Sequence, residues 1–101
     1  MRRAARWDGI LPNARDAEGN WSAPTPEQIP ALKAELEELG ANLDAFDIAV
    51  EGLTPPGDEA ALDNVRQLAE NGATWWIESM WEITGGIPAV RERIAAGPPQ
   101  L

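Results

Sequence analysis

The chain has 101 residues, and its 17 Asp and Glu against 8 Lys and Arg give it a formal net charge of -9. This acidity argues against a surface that follows nucleic-acid phosphates or an anionic membrane. Cys, His and Tyr are absent, which excludes disulfides, thiolate nucleophiles, His-based triads and zinc sites with Cys or His ligands.

The length corresponds to one domain at most, with a single modest core. The apolar runs are only a few residues long, so no membrane span is predicted. The opening "MRRAARW" is basic but lacks the apolar region of a secretory signal,. Because the lack of Cys also fits a reducing compartment, we expect a cytoplasmic protein.

The first elements in chain order are the end of a helix, a strand and a complete helix. The stretch "RRAARW" resembles the last turns of a helix without its beginning, and "GILPN" at residues 9–13 is predicted as a strand,. A helix is predicted over residues 25–39, with Thr25 and Gln28 as a capping box. Pro30 conflicts with a regular start to this helix. Its expected buried face consists of Ile29, Leu32, Leu36 and Leu39.

Two further strands alternate with two further helices. Strands are predicted over residues 46–52 and 74–79, and helices over residues 58–71 and 88–96. Asp58 is the expected N-cap of the second helix, with Leu62, Val65, Leu68 and Ala69 inward,. The third helix is expected to bury Ile87, Val90 and Ile94 and to expose Arg91, Glu92 and Arg93.

The order of these elements predicts an α/β fold of three consecutive βα units, βαβαβα, after the helix remnant. Each strand is followed by a helix, so the strands are expected to be parallel with right-handed crossovers. The joints "ELGAN" and "ENGAT" repeat about thirty residues apart, as a stack of such units would produce,.

Candidate site residues follow from the rule that α/β folds bind ligands at the carboxyl ends of their strands. These are Asn13, Glu51 and Glu78 at the strand ends, and Trp81 in the loop that follows the third strand. Alternation along the strands separates two faces. We expect one face, containing Phe46, Ile48, Val50, Trp75 and Ile77, to meet the helices. We expect the other, containing Trp76 and Glu78, to face an interior or a cleft.

Several chemistries remain open for Glu51 and Glu78. Two carboxylates at neighbouring strand ends can share a proton, bind a divalent ion or hold a polar group of a ligand. They can equally be solvated or cap a helix. No dedicated metal site is predicted.

The motifs "RRAARWDG", "TPEQIPALKAELEELG", "FDIAVEG", "GATWWIE" and "VRERIAAGPP" occur in the order seen in one family. Across essentially the whole chain, they resemble the C-terminal part of luciferase-like flavin-dependent monooxygenases and oxidoreductases. That resemblance implies the last three βα units of a TIM-type barrel, and flavin mononucleotide (FMN) or a deazaflavin as coenzyme. It places Asn13, Glu51, Trp76, Glu78 and Trp81 around the barrel mouth and identifies no catalytic residue.

The resemblance further implies a partial domain, residues 1–101, that is inactive alone because most of the cofactor site belongs to earlier units. Such a piece would leave two sheet edges unpaired and expose an interior face carrying Leu11 and Trp76. It is therefore expected to self-associate or to recruit a complementary N-terminal barrel half. The alternatives are a small binding or assembly module presenting Trp81 and Glu82, and a hydrolase using Glu51 and Glu78.

Overall fold

The computed structural model describes residues 1–101 as a mixed α/β fold with a three-stranded parallel sheet and three helices. The strands are β1 (Gly9–Ile10), β2 (Ala14–Arg15), β3 (Trp21–Ser22), β4 (Asp47–Gly52) and β5 (Trp75–Glu78), and the helices are α1 (Gln28–Glu38), α2 (Glu59–Glu70) and α3 (Gly86–Ala95). The parallel sheet has the order β1-β4-β5, while β2 and β3 form a separate antiparallel hairpin. None of the helices has the length and apolarity needed to cross a bilayer.

The core lies between one face of the sheet and the helices α1 and α2. Ile48 and Val50 of β4 are buried against Ile29 and Leu36 of α1 and Leu68 of α2. Both crossover helices therefore cover the same face of the sheet, as expected for right-handed connections to a strand order of β1-β4-β5. Phe46, directly before β4, completes this cluster.

The helices α1 and α2 end in the same way, at the repeated segments "ELGAN" and "ENGAT". Gly40 and Gly72 adopt positive φ angles of 92° and 113°, a conformation that glycine reaches without strain. The next amides, of Ala41 and Ala73, donate to the carbonyls of Leu36 and Leu68 at 3.0 Å. This is the Schellman arrangement, which satisfies carbonyls at the helix end. The equivalence predicted from "ELGAN" and "ENGAT" is confirmed.

The helix starts agree with the predicted caps in part. The Asp58 carboxylate accepts from the Ala61 amide at 3.0 Å, as an N-cap should,. In α1, the Gln28 side chain accepts from the Thr25 amide at 2.8 Å, which is one half of the capping box,. Pro30 is tolerated because it lies in the first turn, where backbone N–H groups have no partner within the helix.

The prediction for the faces of β5 was wrong. Trp75 is 62 % exposed and Ile77 is also exposed, whereas Trp76 packs against the core. The register pairs Val50 with Trp76, so Trp76 shares the helix-covered face of β4. Alternation identifies which residues share a face, but the pairing with β4 decides which face meets the helices. The open face consequently carries Trp75 in place of Trp76.

The prediction for α3 was wrong for Ile87, Ile94 and Arg93, whereas Val90 is half-buried and Arg91 and Glu92 are exposed as predicted. Ile87 and Ile94 are exposed, while Arg93 is only 6 % exposed. Arg93 joins the helix to Glu78 and Thr54 by hydrogen bonds, and in this orientation Ile87 and Ile94 face outward. Ala69, expected inside α2, is likewise exposed.

Two features of the amino-terminal third differ from the expectation. The basic stretch forms only a 3-10 turn, Ala4–Arg6, and no α-helix. Between β1 and α1 lies the hairpin of β2 and β3, which was not predicted. Its turn is held by the Asp16 carboxylate, which accepts from the amides of Glu18 at 3.0 Å and Asn20 at 2.8 Å. Strands of two residues are too short to show a period.

Candidate functional site

A cavity of about 400 Å³ lies at the carboxyl edge of the parallel sheet. Its lining includes Asn13 after β1, Glu51 near the end of β4, and Trp81 after β5. These three predicted site residues come together because parallel strands end at one edge, so the loops that follow them are neighbours. The cavity is within the size range of small-molecule sites.

Trp21 of the hairpin lines this cavity and was not predicted as a site residue. Glu82 beside Trp81 also lines it, and it was expected only in the alternative of a binding module. A signal for Trp21 was present in the sequence. The segment between the first strand and the first helix is a βα loop, and such loops lie at the carboxyl edge whatever their local structure. The hairpin carries Trp21 to the cavity.

Charge around the cavity is one-sided. Glu51 and Glu82 are the charged lining residues, and no Lys or Arg lines it. Asn13, Ser22 and Ser79 add uncharged polar groups. Arg15 does not line the cavity, but its guanidinium carbon lies 4.2 Å from the centre of a Trp21 ring. The cavity therefore favours cationic or neutral ligands over anions.

Trp76 and Glu78 do not belong to this cavity. Glu51 pairs with Ile77 and Gly52 pairs with Glu78, so the two carboxylates point to opposite faces of the sheet,. Trp76 packs so closely over Gly52 that a Cβ there would lie 2.5 Å from the Trp76 ring. The arrangement gives no support to a reaction that uses Glu51 and Glu78 together.

Glu78 instead holds three elements together. One carboxylate oxygen accepts from the Thr54 amide at 2.6 Å and from Arg93 Nε at 3.1 Å. The other accepts from the Thr54 hydroxyl at 2.5 Å and from Trp76 Nε1 at 3.0 Å. Arg93 also donates to the Thr54 hydroxyl at 3.0 Å and to the Gly97 carbonyl at 2.6 Å. We call Glu78, Thr54, Trp76 and Arg93 the Glu78 cluster.

Two opposing effects act on the acidity of Glu78. Partial burial raises the pKa of the carboxyl, but hydrogen bonds from Thr54, Trp76 and Arg93 outweigh burial and leave the pKa below its ordinary value of 4.5,. The group is therefore a charged acceptor at neutral pH. Since each oxygen is already engaged within the protein, Glu78 acts as a positioning residue for the loop after β4 and for α3.

The cavity fits only part of the cofactor that the resemblance implies. Two tryptophans suit a planar ring. The phosphate of FMN requires Arg, Lys or the amides of a helix N-terminus, whereas this lining contains two carboxylates and no helical residue. The residues of this chain do not form a complete flavin site. Nor do three or more Asp or Glu side chains group closely enough to hold a metal ion.

No family model, curated protein or solved structure matches this sequence. A functional assignment therefore depends on the geometry of the site and on the order of the sequence motifs.

Proposed function

We propose that the chain forms the last three βα units of a luciferase-like flavin- or deazaflavin-dependent oxidoreductase, and that it is inactive alone. In this role it provides part of the wall and mouth of a TIM-type barrel. The observation that carries the proposal is that helices cover only one face of the parallel sheet.

The uncovered face has the character of a barrel interior. In a TIM barrel the helices form the outer layer, and inward side chains from the strands fill the centre. Here α1 and α2 cover the face of Ile48 and Val50, while the other face presents Trp75 and Ile77 to solvent. Leu11, directly after β1, is exposed as well. Such apolar side chains are the surface that further barrel strands would bury.

The cavity at the carboxyl edge supports the same proposal, since barrel enzymes bind their substrates there. Asn13, Glu51 and Trp81 would contact and orient the substrate. Glu78 and Trp76 would act indirectly, because the Glu78 cluster fixes the loop that contributes Leu53 to the cavity. The remaining units of the barrel would supply the phosphate-binding part of the cofactor site.

A second candidate is a small binding module that works without further barrel units. One observation favours it: Trp81 is 89 % exposed at the rim of the cavity. Large exposed aromatic side chains beside a cavity are common in ligand and partner sites. This candidate requires no partner for the open face.

A complementation experiment separates the two candidates. The chain is mixed with a polypeptide containing the first five βα units of a luciferase-like oxidoreductase, and the indole N–H signal of Trp75 is followed by NMR. Formation of a barrel should shift this signal and create FMN or deazaflavin binding. Ile77→Lys on the open face should weaken the complex, whereas Ile94→Lys on α3 should not.

Two outcomes would count against the barrel proposal. One is that no complex forms and the indole signal of Trp75 does not move. The other is that Ile77→Lys binds the added units as tightly as the unaltered chain. Either result favours the stand-alone module.

A further inference from the structure

The charge of the edge cavity selects the class of ligand that it can hold. Glu51 and Glu82 line it without a compensating Lys or Arg, and the whole chain carries a net charge of -9. An anionic ligand would meet repulsion from both carboxylates. A cationic ligand would meet attraction from both.

The aromatic walls add a second preference for cations. Trp21 and Trp81 are both largely exposed, so ring surface is available to a ligand. Indole rings are the best aromatic partners for cations, because their faces carry negative electrostatic potential. At Trp21 one ring face is already occupied in this way by the Arg15 guanidinium, which is held by a hydrogen bond to the Gly19 carbonyl at 2.8 Å. The ring surface open to a ligand is therefore that of Trp81 and the other face of Trp21.

The volume of the cavity and its polar groups restrict the class of ligand further. A volume of about 400 Å³ suits an organic molecule of one or two rings. A bare metal ion is a poor match, since no group of three acidic side chains closes around a point in this structure. The Asn13 amide supplies both a donor and an acceptor for a ring substituent,.

We propose that the cavity formed by Trp21, Trp81, Asn13, Glu51 and Glu82 binds a planar organic cation, such as a quaternised or protonated aromatic amine. This inference deepens the proposed function, because the same cavity would form part of the substrate pocket of the barrel. It applies equally to the chain on its own, since all five residues belong to it.

The test uses three two-ring probes that differ in charge. N-methylquinolinium chloride is the cation, quinoline at a pH where it is unprotonated is the neutral analogue, and naphthoate is the anion. Each is titrated into the chain alone while the five tryptophan indole N–H signals are followed by NMR. The cation should shift the signals of Trp21 and Trp81 at millimolar concentration and leave that of Trp75 in place. Quinoline should bind more weakly, and naphthoate should not bind.

Matched variants identify the groups responsible. Trp81→Leu and Glu51→Gln should each weaken binding of N-methylquinolinium about two- to fivefold, as expected for exposed cation–aromatic and charge contacts. Trp75→Leu and Glu35→Gln make the same chemical changes at exposed positions outside the cavity and should leave the affinity unchanged. Added salt should weaken cation binding to the unaltered chain more than to Glu51→Gln.

Three results would overturn the inference: naphthoate or quinoline binding as tightly as the cation, shifts confined to Trp75 or Trp7, or no shift with any probe. None of these results affects the complementation experiment, which follows the Trp75 indole signal and the binding of the added barrel units. If the chain completes a barrel but does not bind the cation, the proposed function stands and the proposed class of ligand is wrong.

Discussion

The Glu78 carboxylate joins β5, the loop after β4 and α3, and it does so with two oxygens and four hydrogen bonds. Its partner Arg93 is almost fully buried, and the side chain of Glu78 is 18 % exposed. Removing one member of such a pair leaves the other without a counter-charge in a poorly solvated position. A single substitution in the cluster should therefore be felt by the whole fold.

Glu78→Gln should destabilise the protein by about 1–3 kcal/mol, because it removes the charge that Arg93 faces and turns one acceptor oxygen into a donor. The free energy of unfolding, measured by urea denaturation, checks this. Glu35→Gln makes the same change at an exposed position of α1 and should alter stability by less than about 0.5 kcal/mol. Equal stability of the two variants would show that the charge of Glu78 contributes nothing to stability.

The lowered pKa of Glu78 sets the direction of its contribution to acid stability. The folded protein binds the proton less readily than the unfolded chain, so this contribution is present above the ordinary value of 4.5 and is lost as the pH falls toward the folded pKa,. Unfolding free energy should therefore decrease on acidification below about pH 5. Glu78→Gln should show a shallower decrease, and identical pH profiles would contradict this assignment.

The structure of α2 agrees closely with the prediction from its sequence, whereas that of α3 does not. In α2 the N-cap, the buried residues Val65 and Leu68 and the glycine that ends the helix all agree with local signals. In α3 the apolar spacing of Ile87 and Ile94 indicated a buried face, but these side chains are exposed and Arg93 is buried. The bonds that orient α3 go to Glu78 and Thr54, which are distant in the sequence.

Asp58→Ala should destabilise the protein by about 1 kcal/mol, since the Ala61 amide at the start of α2 would lose its acceptor,. Asp58→Asn keeps a side-chain oxygen at the cap and should cost much less. Thermal or urea unfolding of the two variants tests the prediction. A loss of similar size in both would indicate that charge, and not the cap hydrogen bond, stabilises the helix start.

For the molecule as a whole, the decisive feature is the contrast between the two faces of its sheet. One face is buried under α1 and α2, while the other presents Trp75 and Ile77. Exposed apolar groups gathered on one surface, together with unpaired edges at β1 and β5, favour association.

In the absence of further barrel units, we expect the chain to self-associate through this open face. Sedimentation should give a mass above 10.9 kDa that rises with protein concentration. Ile77→Lys should shift the equilibrium toward the monomer by placing a charge on the open face, and Ile94→Lys should not. A monomer at all concentrations, or equal effects of the two substitutions, would contradict association through this face.

The predictable part of the site is its location. Asn13, Glu51 and Trp81 were identified because strand ends in a parallel sheet meet at one edge, and the structure places all three around one cavity. Trp76 and Glu78 were assigned to the same mouth from their positions in the third strand, but they belong to the helix-covered side. Trp21 was missed because its hairpin has two residues per strand and no readable period, although its position in the loop between β1 and α1 indicated the same edge,.

By itself, the sequence determined the local features of this protein: the α/β order, the Asp58 cap, the paired glycine joints and the residues that alternate along each strand. Those features depend on backbone conformations and on neighbours within a few residues. Only the tertiary structure decided that Trp76 faces the helices and Trp75 does not, that Arg93 is buried, and that a hairpin completes the cavity. These depend on the register of β5 against β4 and on hydrogen bonds between distant segments, and no local periodicity contains that information.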